Sequence, residues 1–385
     1  MAPKITELKN CFGCGICASA CPRKIIDIRL DAYGFYKPFI DNMDTCIGCH
    51  ICDDVCAFLN PDNEFPAPKG SYAMWSKDQV SRARCSSGGA SLEIARKLMS
   101  EGYKFCGVRY DIHKHRAEHF IALSPDETIE SCGSKYIQSY TLDAFKKINL
   151  KEKYLVVGTP CQIASFRRYI KKFKHEDNFV LMDFYCHSVP SMHLWKYYIK
   201  TIKNKCGKIA SVSWRDKGNG WHDSWCITIN NQARDGISEN ISDLKYYSSS
   251  FSKGDIFYRL FLGDFCSNES CAKSCIYKHL NSRADIRIGD LWGKTYQNDE
   301  KGVSGVVTFT KSGENVIASL DTCSRTTQPV ELVSEGQMKN NIRHASMRGL
   351  MIKYLRTGHA STAIVKAMIF MQRIINKTNR TLKIK

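Results

Sequence analysis

The sequence predicts an α+β protein with a small cysteine-rich unit at the front, an α/β body around a mixed sheet, and an α+β continuation. Three observations carry this. Cysteines stand at Cys11, Cys14, Cys17 and Cys21, and the same pattern returns 35 residues later at Cys46, Cys49, Cys52 and Cys56. Helix-period and strand-period segments then alternate from Ser91 to Thr201, as they do when helices cover a largely parallel sheet. Beyond about residue 205 the segments become more strand-like.

Each cysteine run reads C-x2-C-x2-C-x3-C, the spacing by which bacterial-type ferredoxins hold two 4Fe-4S clusters. A zinc site or a disulfide framework has no use for the third and fourth cysteine of each run, so the chain is expected to move electrons. In the ferredoxin arrangement three close cysteines hold one cube and the fourth crosses to the other. Cluster one is then expected on Cys11, Cys14, Cys17 and Cys56, and cluster two on Cys46, Cys49, Cys52 and Cys21. Pro22 follows Cys21 as the pattern expects, whereas Ala57 follows Cys56. Gly13, Gly15 and Gly48 let backbone amides approach the sulfides. Between the runs, Ile25 to Leu30 and Tyr36 to Ile40 flank Asp31-Ala32-Tyr33-Gly34 and predict a hairpin.

At 385 residues the chain is too long for a ferredoxin alone. The expected division is a ferredoxin-type domain over 1–60 and a linker over 61–70, marked by Pro61, Pro66 and Pro68. Two parts of one body follow over 71–205 and 206–330, then a basic helical tail over 331–385. Helices are predicted at Ser91–Met99, Gln162–Phe173 and Met192–Thr201. Strands are predicted at Tyr103–Tyr110, His119–Leu123, Tyr154–Val157, Phe179–Tyr185, Ser224–Ile229 and Val306–Thr310. The polar start, Met1 to Asn10, lacks a hydrophobic signal region, and no apolar run is long enough to span a bilayer. A cytoplasmic location is expected, where cysteine-rich sequence means metal or redox chemistry.

Neither G-x-G-x-x-G nor a Walker P-loop occurs, which argues against a standard nicotinamide domain. Two other turns offer hydroxyls and amides at a helix start, Cys85-Ser86-Ser87-Gly88-Gly89 and Val157-Gly158-Thr159-Pro160-Cys161-Gln162; an ordinary helix cap has the same composition. These turns belong to a longer ordered series. It comprises Ser86-Ser87-Gly88-Gly89, Gly133-Ser134-Lys135-Tyr136, Gly158-Thr159-Pro160-Cys161-Gln162, Cys186-His187-Ser188-Val189-Pro190-Ser191, Trp214-Arg215-Asp216-Lys217 with Gly220-Trp221, and Asp285-Ile286-Arg287-Ile288-Gly289-Asp290-Leu291-Trp292-Gly293. With the ferredoxin unit in front, the chain resembles the coenzyme F-420 hydrogenase/dehydrogenase beta-subunit family from about residue 5 to about residue 320.

The resemblance implies an iron–sulfur flavoprotein oxidoreductase, usually with FAD, that couples one-electron transfer through clusters to hydride chemistry on a deazaflavin or another small molecule. FAD would then be held by Ser86, Ser87, Gly88, Gly89, Ser134, Lys135, Tyr136, Gly158, Thr159 and Pro160. Lys135 would sit near the flavin ring or a phosphate and act as the catalytic residue. Trp214, Trp221 and Trp292 are either core aromatics or a stacking wall. Cys161, Cys186, Cys271 and Cys275 are candidate ligands of a third 4Fe-4S cluster. Three residues separate Cys271 from Cys275 where the family has two, and Cys266 is a rival ligand. A Cys161 at a helix start, where the helix end favours a thiolate, is alternatively a nucleophile. Lone cysteines such as Cys106, Cys206, Cys226 and Cys323 read as small buried hydrophobes.

A net charge of +18 raises the question of nucleic acid, but much of the excess lies in the tail, where Gln337 to Lys385 holds eleven Lys/Arg and no Asp or Glu. Apolar residues at helical spacing there (Ile364, Met368, Ile369, Ile374) predict an amphipathic helix suited to a partner or a membrane surface. The expected partners are a soluble ferredoxin or a redox subunit, with a pure electron-relay subunit as the alternative to an enzyme.

Overall fold

A computed structural model of the protein describes residues 3–8, 11–207, 209–231 and 246–383. In the front unit, β1 (Ile26–Leu30) and β2 (Tyr36–Ile40) pair antiparallel with Leu30 opposite Tyr36, forming the predicted hairpin. The turn forms because one Asp31 carboxylate oxygen accepts the amides of Tyr33 and Phe35 at 2.9 and 3.0 Å. Alternation then sends Ile26 and Ile28 inward, against Cys17, Ala18 and Cys52.

The body contributes β3 (Gly70–Ser76), β4 (Lys104–Asp111), β5 (Arg116–Ala122), β6 (Ser139–Tyr140), β7 (Tyr154–Val157), β8 (Phe179–Phe184), β9 (Ile209–Ser213), β10 (Cys226–Asn231), β11 (Tyr246–Ser250), β12 (Ile286–Asp290), β13 (Ser304–Thr308) and β14 (Cys323–Thr327). Among the described residues nine of these form one mixed sheet in the order β14-β3-β13-β12-β8-β7-β4-β5-β6, and β9 to β11 form a small antiparallel sheet of their own. Strands β12, β8, β7 and β4 run parallel. The central two, β7 and β8, are buried along most of their length, which is why they read as largely apolar runs. Leu155, Val180 and Met182 meet the helix Ala90–Ser100 through Ile94 and Leu98 on one face. Val156 and Leu181 meet the helix Pro160–Lys172 through Ile163, Phe166 and Ile170 on the other.

The centre of the sheet also holds charge. Asp183 on β8 and Arg287 on β12 are register partners, wholly buried, and joined by two hydrogen bonds of 2.7 Å. Ser282 donates to the same carboxylate at 2.8 Å, and Arg287 also donates to the His279 carbonyl at 2.6 Å, so the buried charges are fully engaged. One residue before β12, Asp285 accepts the Leu181 amide at 2.7 Å and pairs with Arg167 at 2.9 Å.

The front unit is fixed to the body by polar contacts between backbone and side chain. Gln138 accepts from the Tyr36 amide and donates to the carbonyls of Gly34 and Pro190. Thr141 donates to the Cys14 carbonyl at 3.0 Å, and Asn268 to the Cys11 carbonyl at 3.2 Å.

In the tail, the expected amphipathic helix is present as Thr362–Lys383, although its buried stripe differs from the predicted one. Val365, Met368 and Ile369 pack into the main core with Trp195 and Met351, whereas Ile364 and Ile374 are half exposed. The reason is the docking partner: helix Ile256–Leu262 covers one stripe and leaves its neighbour open. Residues 384–385 of the expected tail lie outside the described residues. Among the described residues no helix is long and apolar enough to cross a membrane.

Removing one partner of the central pair leaves the other charge buried and alone. Arg287→Leu should therefore destabilise the body by about 3–5 kcal/mol, and adding Asp183→Leu should recover part of that loss; thermal denaturation of both variants under anaerobic conditions measures it.

Candidate cofactor cavity and thiol groups

A cavity of about 390 Å³ opens where β7, β8 and β12 end, the position at which parallel sheets place ligands. Its wall includes Ser86, Ser87, Gly89, Ser134, Lys135, Tyr136, Gly158 and Thr159, so eight of the ten residues singled out for a cofactor meet there. Gly88 and Pro160 stand behind the wall. A Cβ on Gly88 would lie 2.4 Å from the Met74 carbonyl oxygen and 2.7 Å from the Ser304 nitrogen, so this glycine lets the turn press onto β3 and β13.

Several of the predicted donors already have partners. Ser87 gives its hydroxyl to the Val303 carbonyl at 2.7 Å, and Ser86 accepts the Ser134 amide at 2.7 Å. At the other turn the Thr159 amide donates to the Gln162 side chain at 2.9 Å, a capping arrangement. Lys135 is half-buried rather than a fully solvated surface lysine. Its ammonium donates to the carbonyls of Glu130, Ser131 and Cys132 at 3.2, 2.8 and 2.9 Å, and burial pulls its pKa down to about 8.

The aromatic expectations divide. Trp214 and Trp221 are wholly buried, and Trp292 lines the cavity while stacking on Trp221 at 4.9 Å and 10°. Arg215, between Trp225 and Trp292, pairs with Asp290 at 2.8 Å and donates to Tyr136 at 3.2 Å. Two buried polar atoms of cavity residues, the Tyr185 hydroxyl and His279 Nε2, have no hydrogen-bond partner. An apolar cavity with aromatic walls, one half-buried cation and two orphaned polar atoms fits an aromatic cofactor with polar edges. Tyr185, His279 and Trp225 are cavity residues that the sequence does not single out. Tyr185, directly before the Cys186 motif, is the one that adjacency to a motif could have flagged.

The cysteines gather in three groups. The Cys17 thiol lies within electrostatic reach of Cys14, Cys11 and Cys56, and burial pushes Cys11 up to about 12 and Cys56 to about 11. The Gly13 amide donates to the Cys11 sulfur at 3.2 Å. Cys21, Cys46, Cys49 and Cys52 line one small cavity, with Cys49 exposed. In the third group Cys161 faces Cys186, Cys275 and Cys271, while Cys266 is buried in the main core beside Arg348. Burial raises Cys161 well above the usual thiol range, outweighing the helix end expected to favour its thiolate. Among the described residues no three His, Cys, Asp or Glu side chains close round one point as ligands of a single ion do. A cube binds each thiolate at a separate corner, and three all-thiol groups of four match that donor set.

The groups border one another and the cavity. Phe12, Cys161 and Cys275 pack against one cluster of Ala57, Ala164 and Tyr277, and Phe12, Gly13 and Cys186 all line the cavity.

Comparison with known proteins agrees with both halves of this arrangement. Residues 151–330 match the family described as the C terminus of the coenzyme F420 hydrogenase/dehydrogenase beta subunit, and residues 10–59 match the 4Fe-4S dicluster domain. The coenzyme F420 hydrogenase subunit beta of Methanococcus voltae is 36% identical over 73 residues, which is 17% of this chain and 26% of that protein. The chain thus matches about a quarter of that curated relative's length. A chain of the xenon-derivatised F420-reducing NiFe hydrogenase complex from Methanosarcina barkeri superimposes with a TM-score of 0.47 at 14% identity, covering 83% of this chain and 95% of that one.

The two glycines of the turns should behave differently. Gly88→Ala should cost about 1–3 kcal/mol by overpacking, because backbone surrounds the site, whereas Gly158→Ala meets chiefly the Gln162 side chain at 3.1 Å and should cost less. The two thermal midpoints check this.

Proposed function

From a chain that carries the C-terminal domain of the coenzyme F420 hydrogenase/dehydrogenase beta-subunit family behind a 4Fe-4S dicluster domain, we propose an iron–sulfur flavoprotein oxidoreductase. The observation that supports it most is that one cavity is walled at once by Phe12 and Gly13 of the dicluster unit, by Cys186 of the third thiol group, and by the turns at Ser86 and Gly158. FAD bound there would exchange two electrons with a small organic substrate and single electrons with the clusters.

The chain's own residues divide the work. Cys11, Cys14, Cys17 and Cys56 hold cluster one; Cys21, Cys46, Cys49 and Cys52 hold cluster two; Cys161, Cys186, Cys271 and Cys275 hold a third. The exposed Cys49 rim is where a soluble ferredoxin or a partner protein makes contact. Lys135 holds a positive charge against the cavity, pinned by three carbonyls so that it does not swing out to solvent. Trp292 and the aromatic wall exclude water from the reacting edge. The substrate is a deazaflavin such as coenzyme F420 or another two-electron partner.

Anaerobic purification and analysis test this reading. Denaturation should release FAD, and iron should approach about twelve atoms per chain, as three cubes require. Cys271→Ser should lose about four irons, whereas Cys266→Ser should keep them all. A protein with clusters but no flavin would be a relay subunit, and steady-state turnover with an artificial donor separates relay from enzyme.

Lys135→Gln should keep the flavin but make its midpoint potential more negative by about 30–60 mV, a tenfold to hundredfold loss of stabilisation of the reduced, anionic form. Because the lysine sheds its proton as pH rises through about 8, wild type and variant should converge above that pH. A potentiometric titration at pH 7 and pH 9 measures both effects.

A further inference from the structure

Two cysteines outside the three groups also face each other. Cys85 and Cys132, 47 residues apart in sequence, bring their sulfurs to 3.7 Å, and both line the large cavity. Cys85 is the residue after helix Gln79–Arg84, and Cys132 follows the 3-10 helix Pro125–Ser131, so neither sulfur is fixed inside a regular element. Gly133, next to Cys132, has φ +77° and open space around it, which leaves the backbone room to adjust.

We propose that Cys85 and Cys132 are a redox-active dithiol that reduces a disulfide substrate in the cavity and closes to a disulfide of their own. This goes beyond the oxidoreductase reading and depends on no bound group. Bond closure brings the sulfurs from 3.7 Å to about 2.05 Å, a movement within the range of side-chain rotation at two loop positions.

The surroundings assign the roles. Cys132 is the attacking sulfur, because Lys135, Arg96 and Arg84 place positive charge around it and its thiolate can accept the Cys85 thiol proton across the 3.7 Å contact, all of which lowers its pKa. Cys85 is the resolving sulfur, held protonated by that hydrogen bond and by burial. The Cys132 thiolate attacks one sulfur of the substrate disulfide, forming a mixed disulfide and expelling the first thiolate, which takes the Cys85 proton. The Cys85 thiolate then attacks Cys132 Sγ, breaking the mixed bond and releasing the second thiolate, which solvent protonates. Two electrons pass from the dithiol to the substrate; one substrate disulfide becomes two thiols and one protein disulfide forms.

The test uses the full-length, cluster-loaded protein, oxidised glutathione as the probe, and mapping of alkylated and linked peptides by mass spectrometry. Wild type should yield a peptide pair joined through Cys85 and Cys132 before any iron is lost, and dithiothreitol should reverse it. Cys85→Ser should stop at a glutathione adduct on Cys132, and Cys132→Ser should lose the reaction at this site. Both cysteines remaining free to alkylate in wild type, or linkage only after iron loss, would overturn the proposal. The wild-type mapping stands even where a serine variant folds poorly.

Discussion

The Asp183–Arg287 pair joins the two halves of the nine-stranded sheet, and the site geometry hangs on that joint. Strands β12, β13, β3 and β14 lie on one side of it and β8, β7, β4, β5 and β6 on the other. Continuing β8 beyond Asp183 leads to Tyr185 and Cys186; continuing β12 beyond Arg287 leads to Gly289 and Asp290. All four residues reach the cavity. A slip of one residue between these strands would turn the buried charges to the wrong faces and separate the cavity walls. A buried ion pair is weak evidence of net stability, but it is a stringent condition on register.

Burial sets the chemistry around the cavity in opposite directions for acids and bases. It pushes the thiols of Cys186 and Cys271 up, to about 11 and about 12, and pulls Lys135 and Lys217 down to about 8. Thiols so raised become strong ligands only when a metal takes the place of the proton. Cys132 departs from that pattern because a neighbouring thiol and three cations favour its thiolate more than burial opposes it. The two lysines are both spent on backbone carbonyls, Lys217 on those of Arg82, Ser87 and Lys301, so each acts as a fixed charge that also ties loops together.

Much of the cluster chemistry and the element pattern could be read directly from the sequence. The two C-x2-C-x2-C-x3-C runs are legible because three cysteines of each group stand within six residues of one another, leaving only Cys21 and Cys56 to cross over. The hairpin of β1 and β2 and the helix Pro160–Lys172 were equally legible, because a turn residue or a cap and a regular period sit next to one another in the chain. The turns at Ser86 and Gly158 were recognisable as candidates, yet the internal use of the Ser87 hydroxyl depends on Val303, more than 200 residues away, and the packing role of Gly88 on β3 together with the equally distant β13.

What the tertiary structure alone decided is which distant residues share a wall. Cys161, Cys186, Cys271 and Cys275 converge because β7 and β8 end beside the loops that precede β12, and Cys266 is excluded because the same chain turns it into the core. Cys85 meets Cys132, and the tail helix buries Val365 rather than Ile364, for the same reason. Local sequence specifies torsion preferences and periodicity, whereas contacts between remote segments are selected by the burial and charge pairing of the whole sheet.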